Sequence, residues 1–75
     1  MTKKDKKIIE DSETKGIPIF VFTAKDKLSP DTIATYRLGC EKNGCNKTHL
    51  DGIEVRLEEF TNWQKQNPNQ VKLPD

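Results

Sequence analysis

The predicted fold depends on one stretch of the sequence, Ile17-Pro18-Ile19-Phe20-Val21-Phe22. In an extended chain it would carry apolar side chains on both faces, and a strand of that kind is normally covered on both. Pro18 has no N–H to give a neighbouring strand, which places its end of the strand at a sheet edge or at the strand's entry. No other stretch looks the same, so the sequence predicts one β-strand with no obvious partner in its own chain.

A first helix is predicted over residues 30–43. Ser29 is a good N-cap, and Pro30 is favourable at the first helical position. Asn43-Gly44 ends the helix, because glycine readily adopts the left-handed conformation that follows many helix C-termini.

A second helix is predicted to begin at Asn46 or Thr48 and to stop near Gln66, because Pro68 disfavours helical geometry at the residue before it. Gly52 inside this helix indicates a close approach to the first helix. Apolar residues recur at helical spacing along it: Leu50, Ile53, Leu57, Phe60 and Trp63.

The predicted fold class is therefore α+β, with one β-strand followed by an antiparallel two-helix hairpin in a single small domain, residues 17–75. A lone strand is not stable in water, so we expect another subunit to complete the sheet. The alternative is internal pairing of the strand with Ile8-Ile9. We expect the subunit interface to include Ile19, Phe20, Val21, Phe22, Phe60 and Trp63.

Residues 1–16 are predicted to form a flexible arm that is basic and polar. Four Lys and one Asp fall within its first seven residues, and its low apolar content does not offset the entropy of ordering it. No apolar stretch resembles a signal peptide or a membrane helix. We therefore expect a cytoplasmic protein that does not associate with membranes.

The charge balance argues against a nucleic-acid-binding domain. The chain has 13 Lys and Arg against 12 Asp and Glu, a net charge of +1, whereas phosphate binding needs a clearly basic surface. A helix-turn-helix interpretation is disfavoured because the second helix carries Glu54, Glu58 and Glu59. The Lys-rich arm leaves one alternative, a nucleic-acid-associated accessory factor.

A speculative anion site lies between the strand and the first helix, at Lys25, Lys27 and Ser29. Two ammonium groups and a hydroxyl precede the free N–H groups of a helix start, a combination that can hold a phosphate or a carboxylate. The competing interpretation is a solvated loop. No glycine-rich phosphate loop is present, which argues against nucleotide hydrolysis.

Cys40, Cys45 and His49 are the candidates for metal binding or nucleophilic catalysis. They offer three ligands where a structural zinc site needs four, and their spacing matches no common zinc finger. A Cys40–Cys45 disulfide is the other possibility, but thiols are expected in a reducing compartment. A Cys-His nucleophile would need an orienting residue and an oxyanion loop, and neither is recognisable. We therefore predict no metal, no cofactor and no enzymatic activity.

Three segments carry a resemblance: residues 18–30, Trp63-Gln64-Lys65, and Lys72-Leu73-Pro74-Asp75. They resemble a group of very small, uncharacterised proteins of phages, prophages and bacteria. The resemblance covers residues 17–75 and departs from that group at Leu73 and at the two cysteines. It implies a phage or bacterial setting and brings no function with it.

Together these features predict a small, non-enzymatic, homo-oligomeric binding or accessory protein. We expect its partners to be further copies of itself and either a host protein or a small anionic ligand. Its working surface would lie near Phe60 and Trp63 or at the Lys25/Lys27 junction.

Overall fold

The computed structural model describes residues 2–74, which form three α-helices. Helix α1 covers Lys3–Lys15, α2 covers Ser29–Lys42 and α3 covers Lys47–Gln66, followed by a short 3-10 turn at Pro68–Gln70. None of these helices is both long and apolar enough to span a membrane.

The α+β prediction is wrong, because residues 2–74 contain no β-strand and the fold is all-α. Residues 17–23, the predicted strand, have no regular secondary structure. The predicted sheet is therefore overturned, and so is its internal alternative, since Ile8 and Ile9 lie in α1. A run of apolar and β-branched residues favours a strand only where a partner backbone completes the hydrogen bonds, and the described chain supplies none to this segment.

Helix α1 occupies most of the segment that was expected to be an arm without regular structure. The Thr2 hydroxyl accepts a hydrogen bond from the Asp5 N–H at 3.0 Å, which caps the helix start. Gly16 ends the helix in the left-handed conformation with φ 68°, and the Ile17 N–H donates to the Ser12 carbonyl at 2.9 Å. Local capping and helix-forming Lys and Glu residues account for this helix without a large apolar face.

The predicted helical hairpin is confirmed. Gly44 has φ 76°, and the Cys45 N–H donates back to the Cys40 carbonyl at 3.0 Å, a pattern that closes a helix C-terminus. Asn46 then caps α3 by accepting a hydrogen bond from the His49 N–H at 2.8 Å. This short connection makes α2 and α3 neighbours that pack together.

The buried core is small and lies between α2 and α3. Its buried apolar members are Ile33, Cys40 and Ile53, and partly buried side chains of Phe22, Cys45, Leu50, Leu57 and Phe60 pack around them. The predicted close approach at Gly52 is wrong, since no atom of another helix comes within 4 Å of where its Cβ would be. No Cα of α1 lies within 8 Å of a Cα of α2 or α3, so the first helix is not part of this packing.

Candidate functional site

One concave site is an open, mainly apolar cavity of about 440 Å³ beside the hairpin core. We call it the aromatic cavity, and its apolar wall consists of Phe22, Ile33, Tyr36, Ile53 and Phe60. The Phe22 and Phe60 rings meet edge to face, with centroids 6.1 Å apart, an arrangement that aromatic pairs favour. Connecting residues 17–23 thus reach the hairpin through Phe22.

Two charged residues complete the lining of the aromatic cavity. An Arg56 nitrogen lies 3.2 Å from an Asp5 carboxylate oxygen, and its other terminal nitrogen lies 3.1 Å from Glu59. Hydrogen bonding to Thr2, and to a lesser degree the Arg56 charge, lower the pKa of Asp5 although partial desolvation opposes them. The Asp5–Arg56 pair is a polar contact that ties α1 to α3 across the cavity.

A second apolar surface lies between α1 and residues 17–23. We call it the apolar patch; it surrounds an open cavity of about 330 Å³ and consists of Ile8, Ile9, Ile19, Phe20 and Val21. Phe20 has 84% of its surface exposed, and its ring centroid lies 6.0 Å from that of Phe22. Because Asp5 lines both cavities, the apolar patch and the aromatic cavity are neighbours on one surface.

The predicted interface residues are divided between these features. Ile19, Phe20 and Val21 belong to the apolar patch and are exposed, whereas Phe22 and Phe60 are half-buried in the cavity wall. Trp63 is also half-buried, and its carbonyl accepts hydrogen bonds from the backbone and side-chain amides of Asn67. The most exposed aromatic side chain is therefore Phe20.

The predicted anion site lies in a segment with extensive internal hydrogen bonding. Ser29 is only 1% exposed, and its hydroxyl donates to the Asp26 carbonyl at 2.7 Å instead of capping α2. The Asp26 carboxylate instead accepts the Leu28 N–H at 2.8 Å. Lys25 and Lys27 are exposed, but the only hydroxyl proton that Ser29 has is already used. An anion site here stays a prediction that rests on the two lysines.

Gln64 and Lys72 fix the same segment from two other parts of the chain. The Gln64 side-chain amide donates to the Ala24 and Asp26 carbonyls, both at 3.0 Å. The Lys72 N–H donates to the Lys25 carbonyl at 3.0 Å, and the Lys27 N–H donates to the Lys72 carbonyl at 2.9 Å. We call this set of hydrogen bonds the junction clip.

The junction clip joins the segments that carry the resemblance noted above. Residues 24–29, the Trp63-Gln64-Lys65 segment and Lys72 are far apart in the sequence and meet here. Sequence reasoning did not assign a role to Gln64. In the structure, its half-buried amide faces loop residues, where such amides commonly satisfy backbone carbonyls that would otherwise lack partners.

Cys40, Cys45 and His49 do not form a metal centre within residues 2–74, where no three potential ligands of this kind cluster. Both cysteines are free thiols. A hydrogen bond with Cys40 and, to a smaller extent, desolvation raise the pKa of the Cys45 thiol. A raised pKa disfavours the reactive thiolate. His49 instead meets Tyr36, whose hydroxyl lies 3.4 Å from its Nε2.

No protein-family model, curated protein or solved structure matches this chain. The resemblance to small phage and bacterial proteins therefore stays a prediction.

Proposed function

We propose that this chain is a non-enzymatic binding protein that works as a homo-oligomer, and that copies meet through the apolar patch and the aromatic cavity. The observation that carries the proposal is the amount of apolar surface that one copy leaves in water. Phe20 and its neighbours are exposed beside an open aromatic cavity, and large contiguous apolar surfaces on a small protein mark interaction sites.

The total surface area supports the same proposal. Folded monomers of this mass, 8.6 kDa, expose about 4,700 Å² by the usual scaling, whereas this chain exposes 6275 Å². The excess of about 1,600 Å² is comparable to the roughly 1,000–2,500 Å² that each subunit of an obligate homodimer buries. The radius of gyration, 13.8 Å, likewise exceeds the value of about 11 Å for a compact chain of this length.

The thiol chemistry is also compatible with a non-enzymatic role. The Tyr36 hydroxyl lies 3.4 Å from Nε2 of His49. Hydrogen bonding to Cys40, and less strongly the electrostatic effect of Cys40, raise the pKa of that phenol. Together with the raised pKa of Cys45, this favours protonated, weakly nucleophilic groups near neutral pH.

The test is the protein mass measured by light scattering across a roughly hundredfold dilution, together with urea unfolding at each concentration. We expect the mass of an oligomer, a multiple of the monomer's 8.6 kDa greater than one. The unfolding midpoint should rise with protein concentration, because association stabilises the folded chain. A monomer that stays folded on dilution, with a midpoint independent of concentration, would contradict the proposal.

A second candidate function is association with nucleic acid. The observation that favours it is that Lys3, Lys4, Lys6 and Lys7 are all exposed on the first two turns of α1. Replacing these four lysines by Gln should then weaken DNA binding and flatten its salt dependence, by about 0.9 in slope for each phosphate that the variant no longer neutralises. Equal, weak binding by both forms would leave the oligomeric binding protein as the better proposal.

A further inference from the structure

We infer that two copies anchor one another through Phe20, each inserting this ring into the aromatic cavity of the other. The inference rests on the proposed self-association and adds the residue and the cavity through which the copies meet. It commits to a second copy of this chain as the occupant of the cavity.

Phe20 has the properties of an interface anchor. It is the most exposed of the large apolar side chains, at 84%, and it stands between the exposed side chains of Ile19 and Val21. A phenylalanine that becomes buried removes about 150–250 Å² from water. Interfaces derive most of their binding energy from a few such side chains that enter pockets.

The aromatic cavity has the properties of the matching pocket. Its wall is built from three aromatic rings and two isoleucines, and aromatic rings favour offset or edge-to-face packing with a further ring. Its volume of about 440 Å³ falls in the range of pockets that hold small ligands. Phe20 of the same chain lies beside Phe22, with the two rings tilted by 50°, but stays exposed, and it does not line this cavity itself.

The positions of anchor and pocket fit a twofold dimer. Such an interface uses the same surface on both copies, so that surface must carry both the anchor and the pocket. Here the two are adjacent, since the Phe20 and Phe22 centroids are 6.0 Å apart. Each dimer would contain two equivalent Phe20 anchors, and neither cavity is filled without the other copy.

The charges beside the cavity are compatible with close approach of a second copy. Arg56 is already paired with Asp5 and Glu59, so burying the neighbouring apolar groups leaves no unpaired guanidinium. An apolar core with charged residues around it is the usual anatomy of a protein interface.

The first experiment places the photo-crosslinking residue p-benzoylphenylalanine at position 20 in the full chain, mixed with ¹⁵N-labelled wild-type protein. The label separates crosslinks between copies from those within one chain. We expect crosslinks between copies to map to Ile33, Tyr36, Ile53 and Phe60. The control carries the same photo-crosslinker at Leu38, an exposed apolar position on α2 that does not line the cavity.

The second experiment compares Phe20→Ala with Leu38→Ala by sedimentation equilibrium, with circular dichroism to confirm that both remain helical. Phe20→Ala should raise the dimer dissociation constant about 100-fold, since each of two anchors contributes about tenfold. Leu38→Ala should change it by less than about threefold.

The outcomes separate this inference from the proposed function. If the wild type is oligomeric but the crosslinks map elsewhere, or if Phe20→Ala associates as well as Leu38→Ala, the Phe20 anchor is wrong and self-association stands. If the wild type is a monomer at all concentrations, self-association fails and the anchor fails with it.

Discussion

Two regions of this molecule are held in different ways. At the junction clip, directional hydrogen bonds join three distant segments. The Gln64 amide donates to backbone carbonyls of residues 24–27, and the Lys72 backbone both donates to and accepts from the same residues. In the other region, residues 17–23 meet the hairpin through Phe22, and α1 meets it through the Asp5–Arg56 ion pair. The hydrogen bonds of the junction clip are complete within one copy, whereas the second region leaves apolar surface exposed.

This difference bears on which surface the proposed second copy would cover. Buried backbone groups need specific hydrogen-bond partners, and the junction clip supplies them from its own chain. Apolar surface has no such directional requirement and can be covered by any surface of complementary shape. The apolar patch and aromatic cavity are therefore where a second copy would stabilise the fold, and the junction clip is where it would change little.

Substitutions at Gln64 test the junction clip and should have the largest effects on stability. We expect Gln64→Ala to lower the free energy of unfolding by about 1 to 3 kcal/mol, because the Ala24 carbonyl is deprived of a half-buried donor. Urea unfolding at one fixed protein concentration measures it. The matched control is Gln66→Ala, an exposed position on the same helix, which should change stability by less than about 0.5 kcal/mol.

Gln64→Glu sharpens the same test. At neutral pH the carboxylate faces two carbonyl oxygens and has no proton to donate, so this variant should be less stable than Gln64→Ala. In acid the carboxyl becomes protonated and regains one donor, so the difference in stability between Gln64→Glu and Gln64→Ala should become smaller. Equal stability of Gln64→Ala and Gln66→Ala would show that the Gln64 hydrogen bonds of the junction clip do not stabilise the fold.

The hairpin was predictable from the sequence because its signals are local. Pro30 and Pro68 restrict the backbone at or near helix ends, and Gly44 readily adopts the left-handed conformation that ends α2. Helix α1 had equivalent signals at Thr2 and Gly16. The low apolar content of residues 1–16 predicted a flexible arm, but apolar content alone underestimates the stability of a helix whose ends are well capped.

The strand and the site were not predictable in the same way. The apolar residues at 17–22 correctly indicated a segment that one copy leaves largely exposed, but a strand needs a partner backbone that no local pattern reveals. Predicted interface residues Phe22 and Phe60 line the aromatic cavity, whereas Tyr36, Ile33 and Asp5 were missed as members of it. These residues come from four segments, α1, residues 17–23, α2 and α3, and their placement depends on interactions between distant parts of the chain.

Gly52→Ala tests whether the surface of α3 at Gly52 is open in solution, as it is in a single copy. Gly52 lies within α3, where nothing would contact its Cβ, so alanine should raise the free energy of unfolding by about 1 kcal/mol through helix propensity. Gly39→Ala on α2 is the matched control, since its Cβ would also meet no neighbour. Of the two glycines, only Gly52 lines a third open cavity, a groove of about 870 Å³ between α1 and α3 that is also lined by Ile8 and His49. A stabilising effect at Gly39 and a destabilising one at Gly52, measured by urea unfolding, would mean that another surface occupies that groove.

Asp5→Asn tests the polar interaction in the open region and should have the smallest effect. The pKa of Asp5 is lowered in the folded chain by hydrogen bonding to Thr2 and, less strongly, by Arg56. The ionised form therefore stabilises the fold above the ordinary pKa of an aspartate, and this contribution disappears as the pH falls through the lowered value. Wild type should be slightly more stable than Asp5→Asn at neutral pH. In acid the two proteins should have the same stability, as measured by thermal unfolding. A difference that persists in acid would show that Asp5 acts through packing or capping rather than through its charge.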